Sequence, residues 1–354
     1  MENPPVEAEA ESTPKFPEHA CQNCGHDEPE THYDFKLCTN CRNELSNLQI
    51  PKWLQLTAGG VLLALVLSIF IGWGSFMTFI TYKKAEKAFD EKKFETAARY
   101  YSQVKAKDYE MDLEVNSKRL LCYYHNFNID SCSTMLNYLS QKSYEDMDLF
   151  GEVESTSGNL SLYFSTPADS LTVPLEQIPT DSLVQRQILV ENYLKKDSLS
   201  LAAIYLLGDI YYDEKEFDKA VKMLEPKAQQ YPEFQSIPSL LIACYRELKQ
   251  YDKAIEWSNN LLMQNQESVI AYAALSKVEL KRKNDSKAME YASMAYSIDS
   301  THYLSLSTMA LATHFNNKKK ASEEYFHRYE SVASDQTSVK YYRDLVSPTS
   351  NWRN

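Results

Sequence analysis

The chain has 354 residues, with 37 basic against 49 acidic side chains and a net charge of -12. That balance argues against a general affinity for nucleic-acid backbones. Glycine numbers only eight, with Gly151, Gly158 and Gly208 alone beyond residue 74, so no GxGxxG or GxxxxGK[ST] phosphate loop can be assembled. Scarce glycine beside abundant Leu, Ala, Lys, Glu and Tyr favours helices, and the long C-terminal part reads as all-α.

Residues 1–18 are acidic and proline-rich, with too few large apolar groups to pack, and are expected to be a disordered tail. Two CxxC pairs follow, Cys21/Cys24 and Cys38/Cys41, separated by thirteen residues. This is what a tetrahedral four-cysteine site requires: each pair on a tight turn, the intervening chain folding back to bring the pairs together. Gly25 suits such a turn, and Thr31–Leu37 alternates well enough for a returning strand. Residues 19–45 thereby resemble a zinc ribbon. The resemblance implies a structural Zn2+ held by Cys21, Cys24, Cys38 and Cys41, with no coordination position left for water or substrate. Two disulfides or a redox CxxC are the rival readings. His26 and His32 read as surface residues, and Glu28, Glu30 and Asp34 leave no basic face for nucleic acid.

From Trp53 to Tyr82 there are 30 consecutive residues without a charge. About 20 apolar residues cross a bilayer core, so residues 53–82 are expected to be a single transmembrane helix. A cleaved signal peptide is a poor alternative, because 52 residues precede the stretch and begin acidic.

Beyond the span, residues 83–142 read as degenerate helix pairs, the first containing Ala97 as a small residue and the second interrupted by NFNID. Gly, Pro, Ser and Thr clusters between 143 and 180 predict an irregular insertion. Helical signal resumes at 181–196, with Asp181 or Ser182 as N-cap. A 34-residue repeat then aligns Tyr211, Tyr245 and Glu279, and likewise Ala220, Ala254 and Ala288. Four copies fit at 201–234, 235–268, 269–302 and 303–336, the last worn, with Ser322 at the alanine position.

This period, with Leu207, Gly208, Tyr211, Ala220 and Pro232 in the first copy, resembles the tetratricopeptide repeat family. The resemblance implies an α-solenoid over 181–346, which with the upstream pairs makes six or so antiparallel helix pairs in one right-handed solenoid, each burying its apolar face on its neighbours. Trp257, Leu261, Leu262, Met289 and Met294 are expected in packing. The family's concave wall, built from the first helix of each pair, maps here onto Tyr205, Asp209, Tyr212 and Asp213, then Arg246 and Glu247, then Lys277 and Lys281. These are the expected partner-binding residues, for a protein or peptide of mixed charge. Ala202, Ser236, Ser239, Ala243, Ile270, Ala273 and Leu280 complete the same wall. The lysine–asparagine–arginine set that clamps a C-terminal carboxylate in some relatives is absent.

No nucleophile, triad or HExxH pattern stands out: His125, His302, His314 and His327 are scattered, so no enzyme and no small-molecule substrate are expected. Cys122, Cys132 and Cys244 fall on predicted helices as small buried thiols, with Cys122 facing Cys132 across one pair. Two considerations oppose each other on orientation. Zinc thiolates favour a reducing compartment for the head, whereas Lys83, Lys84, Lys87, Lys92, Lys93 and Arg99 outnumber Lys36, Arg42 and Lys52 around the span. The expectation is a zinc ribbon in the cytoplasm, one pass through the lipid bilayer and the repeats outside it. The function that follows is a membrane-anchored, non-enzymatic scaffold binding partners through the concave face. The alternative is a regulatory protein whose ribbon contacts a cytoplasmic effector.

Overall fold

The computed structural model describes residues 16–17, 19–26, 28–47, 51–106, 108–142, 149–164, 168–333, 336–347 and 350–353. Most of the expected acidic tail and residues 143–148 therefore lie outside the described residues, together with any pairing of that stretch with 181–196. The chain forms two compact units, Met1–Gly74 and Ser75–Asn354. Among the described residues the regular elements are helices, with no strand.

In the first unit, the returning strand expected at Thr31–Leu37 does not form. Turns and bends occupy it, fastened by two backbone bonds, Gln22 N–H to Lys36 O (2.9 Å) and Glu30 N–H to Leu37 O (3.0 Å). The short stretch has no second strand to complete a ladder, so alternation alone cannot hold it extended. Helix α1 (Thr39–Ser46) follows directly, with Cys38 as its N-cap residue.

Helix α2 (Lys52–Asp90) is 39 residues long and is apolar enough to cross a membrane, with a peak mean hydropathy of 2.3 and none of that window buried. At 1.5 Å per residue it measures about 58 Å, well beyond a hydrocarbon core of about 30 Å. Its last turns serve a second purpose. Ala85 and Ala88 are buried against α3 (Phe94–Gln103), as Phe89 meets Phe94 edge-on, so the end of α2 is the first helix of the first pair.

The second unit repeats one device. In chain order it contains α4 (Tyr109–His125), α5 (Ile129–Ser140), α6 (Phe150–Phe164), α7 (Val173–Glu176), α8 (Leu183–Leu194), α9 (Leu201–Asp213) and α10 (Phe217–Gln230). There follow α11 (Ser236–Glu247), α12 (Tyr251–Gln264), α13 (Val269–Lys281), α14 (Asp285–Ile298), α15 (Tyr303–Phe315), α16 (Lys319–Val332) and α17 (Gln336–Leu345). Left-handed residues end the first helix of six pairs: Lys92, Phe127, Lys215, Lys249, Lys283 and Asn317, the last four spaced 34 apart. Each donates its N–H to the carbonyl three residues back, and the next N–H reaches five back, as in Lys215 to Tyr212 and Glu216 to Tyr211. That paired bonding satisfies orphan carbonyls at the helix end and turns the chain antiparallel.

The small residues fall where the repeat puts them. Ala97, Ala220, Ala254 and Ala288 are fully buried, and the worn fourth copy keeps register through Ser322, whose hydroxyl donates to Ala310 O at 2.8 Å. Gly208 has a separate steric reason: a Cβ there would lie 2.8 Å from Leu224 Cδ2 on α10. Tyr245 is buried and donates to Glu225 at 2.6 Å. At the corresponding place Glu279 is buried instead, held by Asn284 (2.7 Å), Arg282 and Lys287. Leu261 is core with Trp257 and Leu262 at its edge, and Met289 packs against the separate cluster of Ala292, Met309 and Ala312. Met294 differs from expectation, being exposed on the outer face of α14.

The expected irregular insertion at 143–180 is substantially helical: α6, a π-helical turn at Ala168–Thr172 and α7. Its Ser, Thr and Gly residues mask the helix, but Val153 and Leu160, two turns apart on the same helical face, are buried in the common core. Cys122 and Cys132 do not face each other. Both are free and buried, Cys122 among α2–α4 side chains and Cys132 in the core shared with α9–α13.

The pairs do not simply follow one another in line. The α2–α3 and α4–α5 turns touch loops far along the chain. Gln266 N–H donates to Lys92 O (2.9 Å), and Thr96 N–H and Oγ1 donate to Glu267 (2.8 and 2.6 Å). The buried side chains of Gln235 and Asn265 both donate to His125 O, at 2.7 and 3.1 Å. These bonds close the early pairs onto the middle of the solenoid.

Candidate functional site

Two candidate sites emerge. In the head, the Sγ atoms of Cys21, Cys24, Cys38 and Cys41 all lie within 4.8 Å of one another, with Cys24 and Cys38 at 3.9 Å. A tetrahedron with metal–sulfur bonds of about 2.3 Å has edges of about 3.8 Å, so the four thiols fit one metal ion. The first pair sits on a turn whose left-handed residue is Gly25 (φ 77°), where a Cβ would strike the Phe16 ring at 2.7 Å. The second pair opens α1, with Cys38 as its N-cap residue and Cys41 buried in its first turn. Cys38 N–H donates to Cys21 Sγ (3.2 Å) and the Asn23 amide to Cys41 Sγ (3.4 Å), contacts that fix the sulfurs in place. Glu30 and Arg42 pair at 2.7 Å, and the Arg42 guanidinium covers the Tyr33 ring at 3.7 Å.

The second candidate site lies on α9, α11 and α13. Arg246 is 5% exposed, and its guanidinium donates to Tyr212 Oη (3.0 Å) and Glu247 (2.9 Å). Lys281 donates to the other Glu247 oxygen at 2.7 Å. Burial raises the Glu247 carboxyl, but the two cations outweigh it and hold the group below its ordinary range. Asp209 has no cation so close. Burial, with Asp213 one turn away, pushes it up to about 6, and Arg186 offsets only part of that rise. Tyr205 is likewise pushed upward by burial, with Asp209 adding to it.

The eight expected positions lie on α9, α11 and α13, and hydrogen bonds link four of them, Tyr212, Arg246, Glu247 and Lys281, across the three helices. They are not, however, an open solvated face. Helix α17, followed by Trp352 and Arg353, lies over them. Lys277 Nζ donates to Tyr342 Oη at 2.6 Å, and Tyr342 is buried with Leu306, Phe326 and Tyr329. The Lys281 ammonium stands 5.0 Å from the Trp352 ring, which in turn stacks on Phe315. Arg353 Nε donates to Leu280 O at 2.8 Å, and its guanidinium pairs with Asp285. Between α9 and α17 a cavity of about 560 Å³ remains, bordered by Asp209, Tyr212, Tyr341 and Tyr342. Sequence reasoning missed this covering segment. The available signal was the apolar stripe Val339, Tyr342, Leu345 at helical spacing after the last repeat.

A family model described as tetratricopeptide repeat matches residues 211–278. No curated protein matches the chain. Among solved structures, a tetratricopeptide repeat protein from Parabacteroides merdae aligns at 15% identity, covering 66% of this chain and 85% of that one, with a TM-score of 0.41. A structure of MamA aligns at 17% identity over 46% of this chain and 93% of its own, with a TM-score of 0.31. A MamA double mutant aligns at 14% identity over 45% and 89%, with a TM-score of 0.33.

Proposed function

We propose that the chain is a membrane-anchored, non-enzymatic scaffold that holds a partner protein through the inner wall of its helix-pair solenoid. The observation that supports this reading is the hydrogen-bonded series Tyr212–Arg246–Glu247–Lys281 across α9, α11 and α13, in a stretch that matches the tetratricopeptide repeat model, with Tyr205, Asp209, Asp213 and Lys277 on the same helices. Such a wall presents side chains from several helices to one extended ligand, and needs no reacting group. Anchoring is supported by Trp53 and Trp73, both exposed on α2 and twenty residues apart. That interval is about 30 Å of helix, the thickness of a bilayer core, with an aromatic ring at each interface. In this reading the head takes one structural zinc and faces the cytoplasm, where thiolates stay reduced, and the repeats lie on the far side.

Photo-crosslinking side chains placed at Asp209 and Lys277 of the membrane-bound full chain test the scaffold. Discrete adducts to another protein are expected there and not from Lys222 on the outer face. Equal yields from both faces would sink the assignment. Metal analysis of the purified chain should find one zinc, lost in Cys21→Ser/Cys38→Ser. Protease protection of a C-terminal tag in intact cells reads the orientation.

A second reading has its own support. Phe35 is 76% exposed and Tyr33 56% exposed on the small head, an apolar display that suits contact with an effector. Phe35→Ala would then abolish the phenotype while leaving the crosslinks from Asp209 and Lys277 intact.

A further inference from the structure

Where α11 and α13 line it, the groove contains three cations, Arg246, Lys277 and Lys281, facing the carboxylate of Glu247, while Asp209 and Asp213 stand at the α9 end. The groups that the chain's own C-terminal segment lays over them are neutral. Lys277 receives a tyrosine hydroxyl and the face of the Tyr342 ring at 4.9 Å, and Lys281 the face of Trp352. A ring face or a neutral hydroxyl satisfies an ammonium less well than a carboxylate, whose charge-assisted hydrogen bond is about twice as strong as a neutral one. The fit is incomplete in two further respects. Among the described residues the Trp352 indole N–H is buried without an acceptor, and α17 leaves about 560 Å³ unfilled against α9.

We propose that Gln336–Leu345 with Trp352–Arg353 is a built-in stand-in ligand, and that the external partner of this groove is an acidic amphipathic helix that displaces it. This rests on the reading of the inner wall as the partner surface. The charge layout also sets the partner's direction. Asp209 and Asp213 repel acid at the α9 end, so the partner's aromatic or apolar part lies against Tyr205 and Tyr212 and its carboxylates lie over α13. Because the stand-in is tethered, it competes at an effective concentration in the millimolar range. A copy supplied in trans, which carries Lys340, Arg343 and Arg353 against Asp344 alone, is therefore a weak ligand, and only a segment with better electrostatics wins the groove.

Two labelled synthetic peptides test this on the full chain in lipid nanodiscs: residues 336–353 as they stand, and the same peptide carrying Tyr342→Glu. The Tyr342→Glu peptide should bind at least about tenfold tighter, and the advantage should shrink as salt rises and vanish when the chain carries Lys277→Met. Weakening the tethered segment by Trp352→Ala, or more mildly by Tyr341→Ala, should raise the affinity of both peptides severalfold while preserving their ratio. The proposal is overturned if the Tyr342→Glu peptide binds no tighter than its parent, if neither binds even the Trp352→Ala chain, or if weakening the tethered segment changes nothing. Persisting crosslinks from Asp209 and Lys277 to a foreign protein alongside such a failure would reject the displacement and leave the scaffold standing. Peptide binding without such crosslinks would reject only the scaffold.

Discussion

Glycine-to-alanine substitution should have opposite signs at two helical sites of the same unit. At Gly208, in the middle of α9, the new methyl would lie 2.8 Å from Leu224 Cδ2 and 3.1 Å from Cδ1 and Cγ. Leu224 is fully buried and has nowhere to move, so α9 and α10 must separate or Leu224 must leave its rotamer. Overpacking of this kind costs about 1–3 kcal/mol, against about 1 kcal/mol gained from alanine's helix propensity. The net expectation is about 1 kcal/mol of destabilisation. At Gly158, inside α6, a Cβ meets nothing within 4 Å, so Gly158→Ala gains the propensity term alone, about 1 kcal/mol. For a unit of this size each kcal/mol moves Tm by roughly 2–3 °C. Thermal melts of the full chain in detergent, followed by far-UV circular dichroism, read both. A higher Tm for Gly208→Ala, or a lower one for Gly158→Ala, would refute the packing account.

Lys215 is exposed and left-handed (φ 63°), so Lys215→Gly relieves a backbone cost of about 1–2 kcal/mol against up to about 1 kcal/mol of unfolded-state entropy. A small rise in the urea midpoint at unchanged m is expected. The Asp209 carboxyl, raised to about 6 against 3.8 when free, binds its proton more tightly in the folded chain. Its contribution to stability is therefore full below pH 3.8 and is lost as pH climbs through 6. Asp209→Asn should stabilise by about 1–2 kcal/mol above about pH 7 and be neutral near about pH 3.5, a difference that paired denaturant titrations resolve. Asn265→Ala removes bonds to His125 O and Asn126 Oδ1 from a buried position, about 2–3 kcal/mol. Hydrogen exchange should rise in α3–α5 and stay unchanged in α14–α16.

The repeated architecture was legible because its physics is local. A small residue every 34 positions permits close helix approach, and a turn between the helices reverses the chain, so Ala220, Ala254 and Ala288 announce the pairs without any knowledge of distant contacts. The same holds for the four cysteines, whose spacing alone brings four thiols within reach of one ion, and for the uncharged run that becomes α2. Where local composition misled, packing overrode it. Gly, Ser and Thr concealed α6, which is stabilised by burying Val153 and Leu160 on neighbouring helices rather than by its own propensity. The strand expected at Thr31–Leu37 failed for the converse reason, having no neighbour to pair with. The closure of the early pairs onto residues 235 and 265–267, and the placing of α17 over Lys277 and Lys281, belong to tertiary structure alone. Both depend on the summed curvature of many helix pairs, which brings residues more than a hundred positions apart, or a terminal segment and an inner wall, within hydrogen-bond distance. No periodicity in the chain encodes that curvature directly.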